Sequence, residues 1–150
     1  MYGVSINFNH VTHALICASE GFVINFLPYE QAELIAAVGS ISKRDLAASE
    51  DKFSRFAIET DEALCIEAPI VRAAYLSYEC RLHSITRVGD HDWFAGDVVA
   101  VHYDSHSYDE RFMLDSAQTP AAIYYGRARY AALTAEAPER CFPPEAFRSR

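Results

Sequence analysis

Apolar and polar positions change period several times along the chain. VSINF, residues 4 to 8, is short and β-rich. In NHVTHALICASEGF the period lengthens. Val11, Ala14, Leu15 and Ala18 recur at helical spacing, with Asn9 as a fitting N-cap and Gly21 as a fitting stop. FVINFL, 22 to 27, is an apolar run of strand length ended by Pro28. YEQAELIAAVG, 29 to 39, predicts a second helix that stops at Gly39. The polar stretch that follows predicts a loop, then a short helix around Lys52 to Phe56.

The clearest strand is AYLSYECRLHSIT. Leu76, Tyr78, Cys80 and Leu82 alternate with Ser77, Glu79, Arg81 and His83, which predicts one set against a core and the other toward solvent or a partner. Gly89 and Asp90 turn the chain, and DWFAGDVVAVHY returns, so 74 to 103 reads as an antiparallel hairpin. Gly96 inside the return strand predicts a bulge or a close backbone approach. AAIYYG predicts a last strand, and RARYAALT a final turn or short helix. The tail from 135 to 150 holds three of the six prolines and predicts an arm or frayed end beyond a domain of residues 1 to 134. Strands outnumber helices, and the helices lie early. The expected fold is therefore mainly β: an antiparallel β-barrel or sandwich with helical decoration. No GxGxxG follows a strand, which excludes a Rossmann dinucleotide site.

Composition narrows the function classes. The 150 residues are 51% hydrophobic, enough for one domain with a real core. A net charge of -8 favours solubility and argues against a nucleic-acid or anionic-membrane surface. Cys17, Cys65, Cys80 and Cys141 form no CxxC pair, so a zinc knuckle or thioredoxin-like motif is not expected, and reduced thiols in a cytoplasm are the simplest reading. The start lacks the basic and apolar regions of a signal peptide, and no run approaches the roughly 20 apolar residues of a membrane helix.

Several residues carry candidate chemistry. His91 in RVGDHDWFAGDVV reads either as a solvated turn group or as a donor or acceptor that meets a ligand at a barrel rim. Ser5, Asn7 and Thr12 bracket the first strand-helix junction, where free N–H groups and the helix dipole suit a phosphate; ordinary capping explains them equally well. Lys52 can counter such a phosphate or pair with Glu50 or Asp51. His102, Asp104, His106 and Asp109 are residue types that ligate metals, but they leave a strand for a loop, and polar loop is the plainer reading; no metal is expected. No GxSxG is present, so hydrolase chemistry ranks low. Tyr124, Tyr125 and Tyr130 serve a core, an interface or a stacked planar ring.

Taken in order, VSINFNHVTHALICASEGFVINFL, SEDKF, EAPIVRAAYLSYECRL, GDHDWFAGDVV and IYYGRARYAAL resemble the flavin reductase-like family, whose fold is the FMN-binding split β-barrel. The resemblance implies FMN, or less often FAD, held non-covalently at a homodimer interface. It implies NADH or NADPH as hydride donor, and a flavin-dependent monooxygenase as a partner that takes the reduced flavin. By motif, Ser5, Asn7 and Thr12 correspond to the phosphate and ribityl side, and Lys52 and Phe53 of DKF to neighbours of the flavin. His91 of GDH corresponds to the nicotinamide-side contact, and Tyr130 to a second one. The first strand here usually lies well inside the family's domain, so the opening strands, which help cradle the flavin ring, are expected to be missing, with sheet edges exposed as a result. That departure keeps a second expectation open: a non-catalytic flavin-binding or dimeric scaffold protein. A third is a redox enzyme of the same fold that uses tightly bound FMN against an organic substrate.

Overall fold

The computed structural model describes residues 1–42, 45–47 and 49–137. Its centre is a four-stranded antiparallel sheet. Two long strands, β5 (Leu76–Val88) and β6 (His91–Tyr103), form a hairpin, with β1 (Tyr2–Asn7) on the outer side of β6 and β2 (Gly21–Phe26) on the outer side of β5. Two small antiparallel pairs flank it: β3 (Thr60–Asp61) with β4 (Ile70–Val71), and β7 (Ala121–Tyr124) with β8 (Tyr130–Leu133). The expected mainly-β antiparallel architecture with helices set between the early strands is what the chain forms.

Helix α1 (Val11–Ser19) links the two edge strands and lays Ile16 on the sheet. Ile16, Phe22, Cys80 and Phe94 make the buried core, with Tyr2, Val4, Ile6, Ile24, Tyr78, Leu82 and Val98 packed around them. The helix differs from the pattern reading at both ends. His10, not Asn9, is the N-cap, and the left-handed stop is Glu20 at φ 52, because Gly21 is already the first residue of β2. The expected helix over 29 to 39 divides into a 3-10 turn (Tyr29–Gln31) and α2 (Ala32–Ser40). The short helix α3 (Lys52–Arg55) lies where the sequence placed it, capped by Asp51, whose Oδ1 accepts from the Ser54 N–H.

Two further expectations need correction. Alternation along β5 predicts one buried face and one toward solvent or a partner. Yet Ser77 and Glu79 are as buried as Cys80, at 1%, 0% and 0% exposure: the Leu64 and Cys65 N–H groups close on the Glu79 carboxylate, and the Ser77 hydroxyl donates to Asn25 Oδ1 of β2. The segment RARYAALT is not a turn or helix but strand β8. It is joined to β7 by a tight turn in which the Arg129 N–H donates to the Gly126 carbonyl and both central residues, Arg127 and Ala128, have positive φ. That is the geometry of a type I′ hairpin turn, which Asn-Gly or Asp-Gly usually occupies. The expected C-terminal arm lies from 138 onward outside the described residues.

Gly96 meets its expectation in full. A Cβ there would lie 2.9 Å from both the Cys80 Cβ and the Phe22 ring, and a register shift falls opposite it between Leu82 and Ser84. A Cβ at Gly3 would run closer still, into the Trp93 ring, but Trp93 is 45% exposed and can move outward. Gly96→Ala is therefore expected to cost about 1–3 kcal/mol through overpacking, and Gly3→Ala clearly less. Urea unfolding of the two variants checks the order.

Candidate functional site

The sheet has two chemically different faces, set by its register. On the core face, Val4 and Ile6 of β1 look across to β2. Between these edge strands, beneath α1, lies an open cleft of about 410 Å³. Its walls are Val4 and Ile6, Thr12, Leu15, Ile16 and Ser19 of α1, and residues 21–25 of β2. Phe53 of α3 and Glu67, Ala68 and Pro69 complete it. The lining is mostly apolar, and Thr12 supplies a hydroxyl at the start of the helix. His10 makes no side-chain capping bond; of the first-turn N–H groups of α1, that of His13 donates to the His10 carbonyl at 3.1 Å, and those of Val11 and Thr12 stand at the open end of the helix.

The opposite face carries a different set. Asn7 pairs with His91 across β1 and β6, and Ser5 with Trp93. Asp90 ties two of these together: its Oδ1 lies 2.7 Å from His91 Nδ1, and its Oδ2 accepts from Asn7 Nδ2 at 3.3 Å. The His91 hydrogen bond and charge hold the Asp90 carboxyl below its ordinary range, so it acts only as an acceptor. His91 Nδ1 must then carry the hydrogen, and Nε2 is turned outward. His91 is the first residue of β6 rather than a turn residue, and its side chain is 41% exposed.

The sequence-derived candidates thus fall into separate groups. Ser5, Asn7 and His91 share the outer face, while Thr12 and Phe53 line the cleft on the other side of the sheet. Lys52 reaches neither: its Nζ donates to the Val38 carbonyl at 2.6 Å, closing the C-terminal end of α2, where a cation is favoured. Tyr130 faces Tyr124 across β7 and β8, ring centroids 5.2 Å apart. Of the four metal-type residues, His102 turns inward to Glu79, and Asp104 accepts from the N–H of His106 and the hydroxyl of Ser107. Asp109 accepts from the N–H groups of Arg111 and Met113. Among the described residues no set of three His, Cys, Asp or Glu side chains converges on a metal position.

Glu79 was missed as anything but a solvent-side residue. Its carboxylate accepts from the Leu64 and Cys65 N–H groups at 2.7 Å each and meets His102 Nε2 at 2.6 Å. It thereby anchors the loop whose next residues, 67–69, wall the cleft. Burial works to raise its pKa, but the Leu64 N–H, the His102 ring and the Cys65 N–H outweigh it, and the carboxyl titrates below the ordinary glutamate range. Only the alternation of β5 bore on this residue in the sequence, and that pointed outward.

A group whose folded-state pKa is depressed stabilises fully above its unfolded value, and that contribution is lost as pH falls through the folded value. Glu79→Gln is expected to cost about 1–3 kcal/mol at neutral pH and to speed amide exchange at Leu64 and Cys65. The gap to the parent protein narrows as pH falls through the carboxylate range. Urea melts over a pH series, with amide exchange, check both.

The flavin reductase-like domain model matches residues 1–134. An FMN-binding protein from Thermus thermophilus, solved with 1-cyclohex-2-enone, is 30% identical, with a TM-score of 0.76; the match covers 95% of this chain and 72% of that one. A flavoredoxin from Methanosarcina acetivorans shares the fold at 18% identity and a TM-score of 0.79, over 98% of this chain and 74% of that one. An NADH:FAD oxidoreductase from Streptomyces globisporus aligns over 69% of this chain and 58% of that one, at 21% identity and a TM-score of 0.58. No curated relative matches the chain. Among the described residues no helix is long and apolar enough to cross a membrane.

Proposed function

The chain belongs to the flavin reductase-like domain family, with the split-barrel fold and flavin-related redox chemistry that go with it, and from that premise we propose that it is an NAD(P)H:flavin reductase using FMN. The observation that carries the reading is the apolar cleft between the two edge strands, with Thr12 and Phe53 in its walls and an uncapped helix N-terminus at its end. These features fit a flavin. Apolar walls suit a planar ring system, and a hydroxyl beside free N–H groups suits a ribityl phosphate. Bound flavin supplies reversible two-electron chemistry that no side chain here can perform. The chain's own residues bind, orient and shield.

In this reading Thr12 and the first turn of α1 hold the phosphate, and Phe53 packs against the ring. Ser5 and Asn7, on the far side of β1, belong to the same site only if a second copy of the chain completes it, which supports a homodimer as the working form. His91, with its tautomer fixed by Asp90, presents Nε2 to the nicotinamide, and Tyr130 forms a second contact there. Lys52 acts at one remove, by fixing α2 to α3. A flavin-dependent monooxygenase in the cytoplasm would be the partner that takes up the reduced flavin. FMN rather than FAD is favoured by the 30%-identical FMN-binding relative.

A second reading has one observation in its favour. That relative was solved with 1-cyclohex-2-enone and, separately, with p-hydroxybenzaldehyde, both conjugated carbonyl compounds of a size for an apolar cleft. FMN-dependent reduction of a conjugated carbonyl is the corresponding activity.

Visible spectra of the purified chain, taken before and after FMN and then NADH or NADPH, decide between these. Flavin bands that shift on binding and bleach with the nicotinamide are expected. Stimulation of NAD(P)H oxidation by an enone would favour the second reading. No shift with FMN would remove both. His91→Ala is expected to lower the reductive rate about tenfold or more with FMN affinity retained. Thr12→Ala and Phe53→Ala are expected to weaken FMN binding instead.

A further inference from the structure

We propose that Cys17 is a reactive thiol, primed by His13 and Asp92, that is oxidised to the sulfenic acid by hydrogen peroxide or another hydroperoxide. The site lies on α1 and the turn end of β6, and it does not depend on the flavin reading.

Helix α1 sets residues 13 and 17 one turn apart on one face. Cys17 Sγ lies 3.8 Å from His13 Nδ1, and the other ring nitrogen, Nε2, lies 2.8 Å from Asp92 Oδ2. Asp92 is 6% exposed, and its second oxygen accepts from Arg87 Nε at 2.6 Å. The His13 hydrogen bond, opposed by burial and joined by Arg87, holds the Asp92 carboxyl below its ordinary range. It is ionised at neutral pH and acts only as an acceptor. In the neutral ring Nε2 must therefore carry the hydrogen, and the free lone pair sits on Nδ1, facing the sulfur. The ring is fixed in that pose: its side chain is 18% exposed, and it stands edge-on to Phe94, centroids 5.0 Å apart. A nucleophile, a base and a group that orients the base are thus in sequence.

The other described thiols lack this setting. Cys80 is fully buried. Cys65 is exposed, but its backbone N–H is bound to the Glu79 carboxylate, and among the described residues no imidazole bonds its sulfur. Cys17 is exposed, so a small reagent can reach it.

The chemistry balances without a cofactor. The thiol proton passes to Nδ1, and the sulfur attacks one peroxide oxygen. An S–O bond forms and the O–O bond breaks. The departing hydroxide takes the proton back from Nδ1 and leaves as water. Sulfur loses two electrons and the peroxide gains them. Asp92 keeps its charge throughout and acts as a positioning residue for His13.

The test compares cysteines within one molecule. The reduced full chain is exposed to hydrogen peroxide with dimedone as the sulfenate trap, or to a limiting amount of iodoacetamide, and each cysteine is followed by peptide mass spectrometry. Cys17 is expected to react about tenfold or more faster than Cys65, and the ratio to fall toward about one in urea. His13→Gln keeps an amide that can bond Asp92 but removes the base. It is expected to slow Cys17 about tenfold and to leave Cys65 unchanged. Asp92→Asn is expected to act in the same direction. Labelling of buried Cys80 reports any variant that has unfolded, and the parent protein's folded-to-urea ratio then decides. Equal rates at Cys17 and Cys65 in the folded parent, or a Cys17 rate indifferent to His13→Gln in a folded variant, would overturn the proposal.

Discussion

The register of the β5–β6 hairpin is the constraint on which the rest of the molecule depends. Each strand is 13 residues long, and each carries one edge strand along its outer side. Side chains in a strand alternate with period two, so a slip of one residue would exchange the two faces. Phe94 and Cys80 would then leave the core, and His91 would turn toward the cleft. Gly96 helps to exclude that slip. It is the position where the Phe22 ring and Cys80 come closest to the β6 backbone, and a neighbouring residue with a side chain would not fit there. The cleft, the polar face and the buried carboxylates are all consequences of one pairing.

Carboxylate–imidazole pairs recur on this frame at three depths. Asp90 with His91 is exposed, Asp92 with His13 is mostly covered, and Glu79 with His102 is enclosed on the carboxylate side. Depth assigns their work. A deeply buried carboxylate needs hydrogen-bond partners for its oxygens, and Glu79 finds them in the N–H groups of a loop and in the His102 ring. Asp92 divides its two oxygens between an imidazole and a guanidinium, joining α1 to the sheet. Asp90, in water, contributes little to stability and much to direction, because it decides which nitrogen of His91 faces outward.

How much of this the sequence discloses depends on where the information lies. The long hairpin was legible because its signal is local: alternation on both sides of Gly89 and Asp90. Thr12 and Phe53 were legible as candidates from ordered motifs, but not the fact that a sheet separates them from Ser5, Asn7 and His91. That separation is a matter of register across residues distant in the chain. Lys52 reads as the counter-ion of a phosphate or the partner of Glu50 or Asp51 because the Val38 carbonyl it closes lies 14 residues away. Glu79 and Ser77 looked solvent-facing because the groups they bond, on Leu64, Cys65 and Asn25, lie in other segments of the chain. Cys17, in an apolar run, reads as a small buried hydrophobe, whereas it is exposed, and Asp92, which orients its neighbour His13, is 79 residues from His13.

The turn at Gly126–Arg129 is held in a different way from the turn at Gly89–Asp90. The β5–β6 turn has glycine at its first central position, at φ 61, so its own residues favour closure. The β7–β8 turn asks Arg127 and Ala128 to adopt left-handed backbone, at roughly 1–2 kcal/mol each, with no glycine at either central position. Such a turn is held by the strands it joins, and those strands are held in turn by the Pro28–Ala121 bridge and the Tyr29 N–H donating to the Pro120 carbonyl. The tyrosine-bearing hairpin therefore rests on its packing against the chain after β2, whereas the turn of the central hairpin is favoured by its own residues.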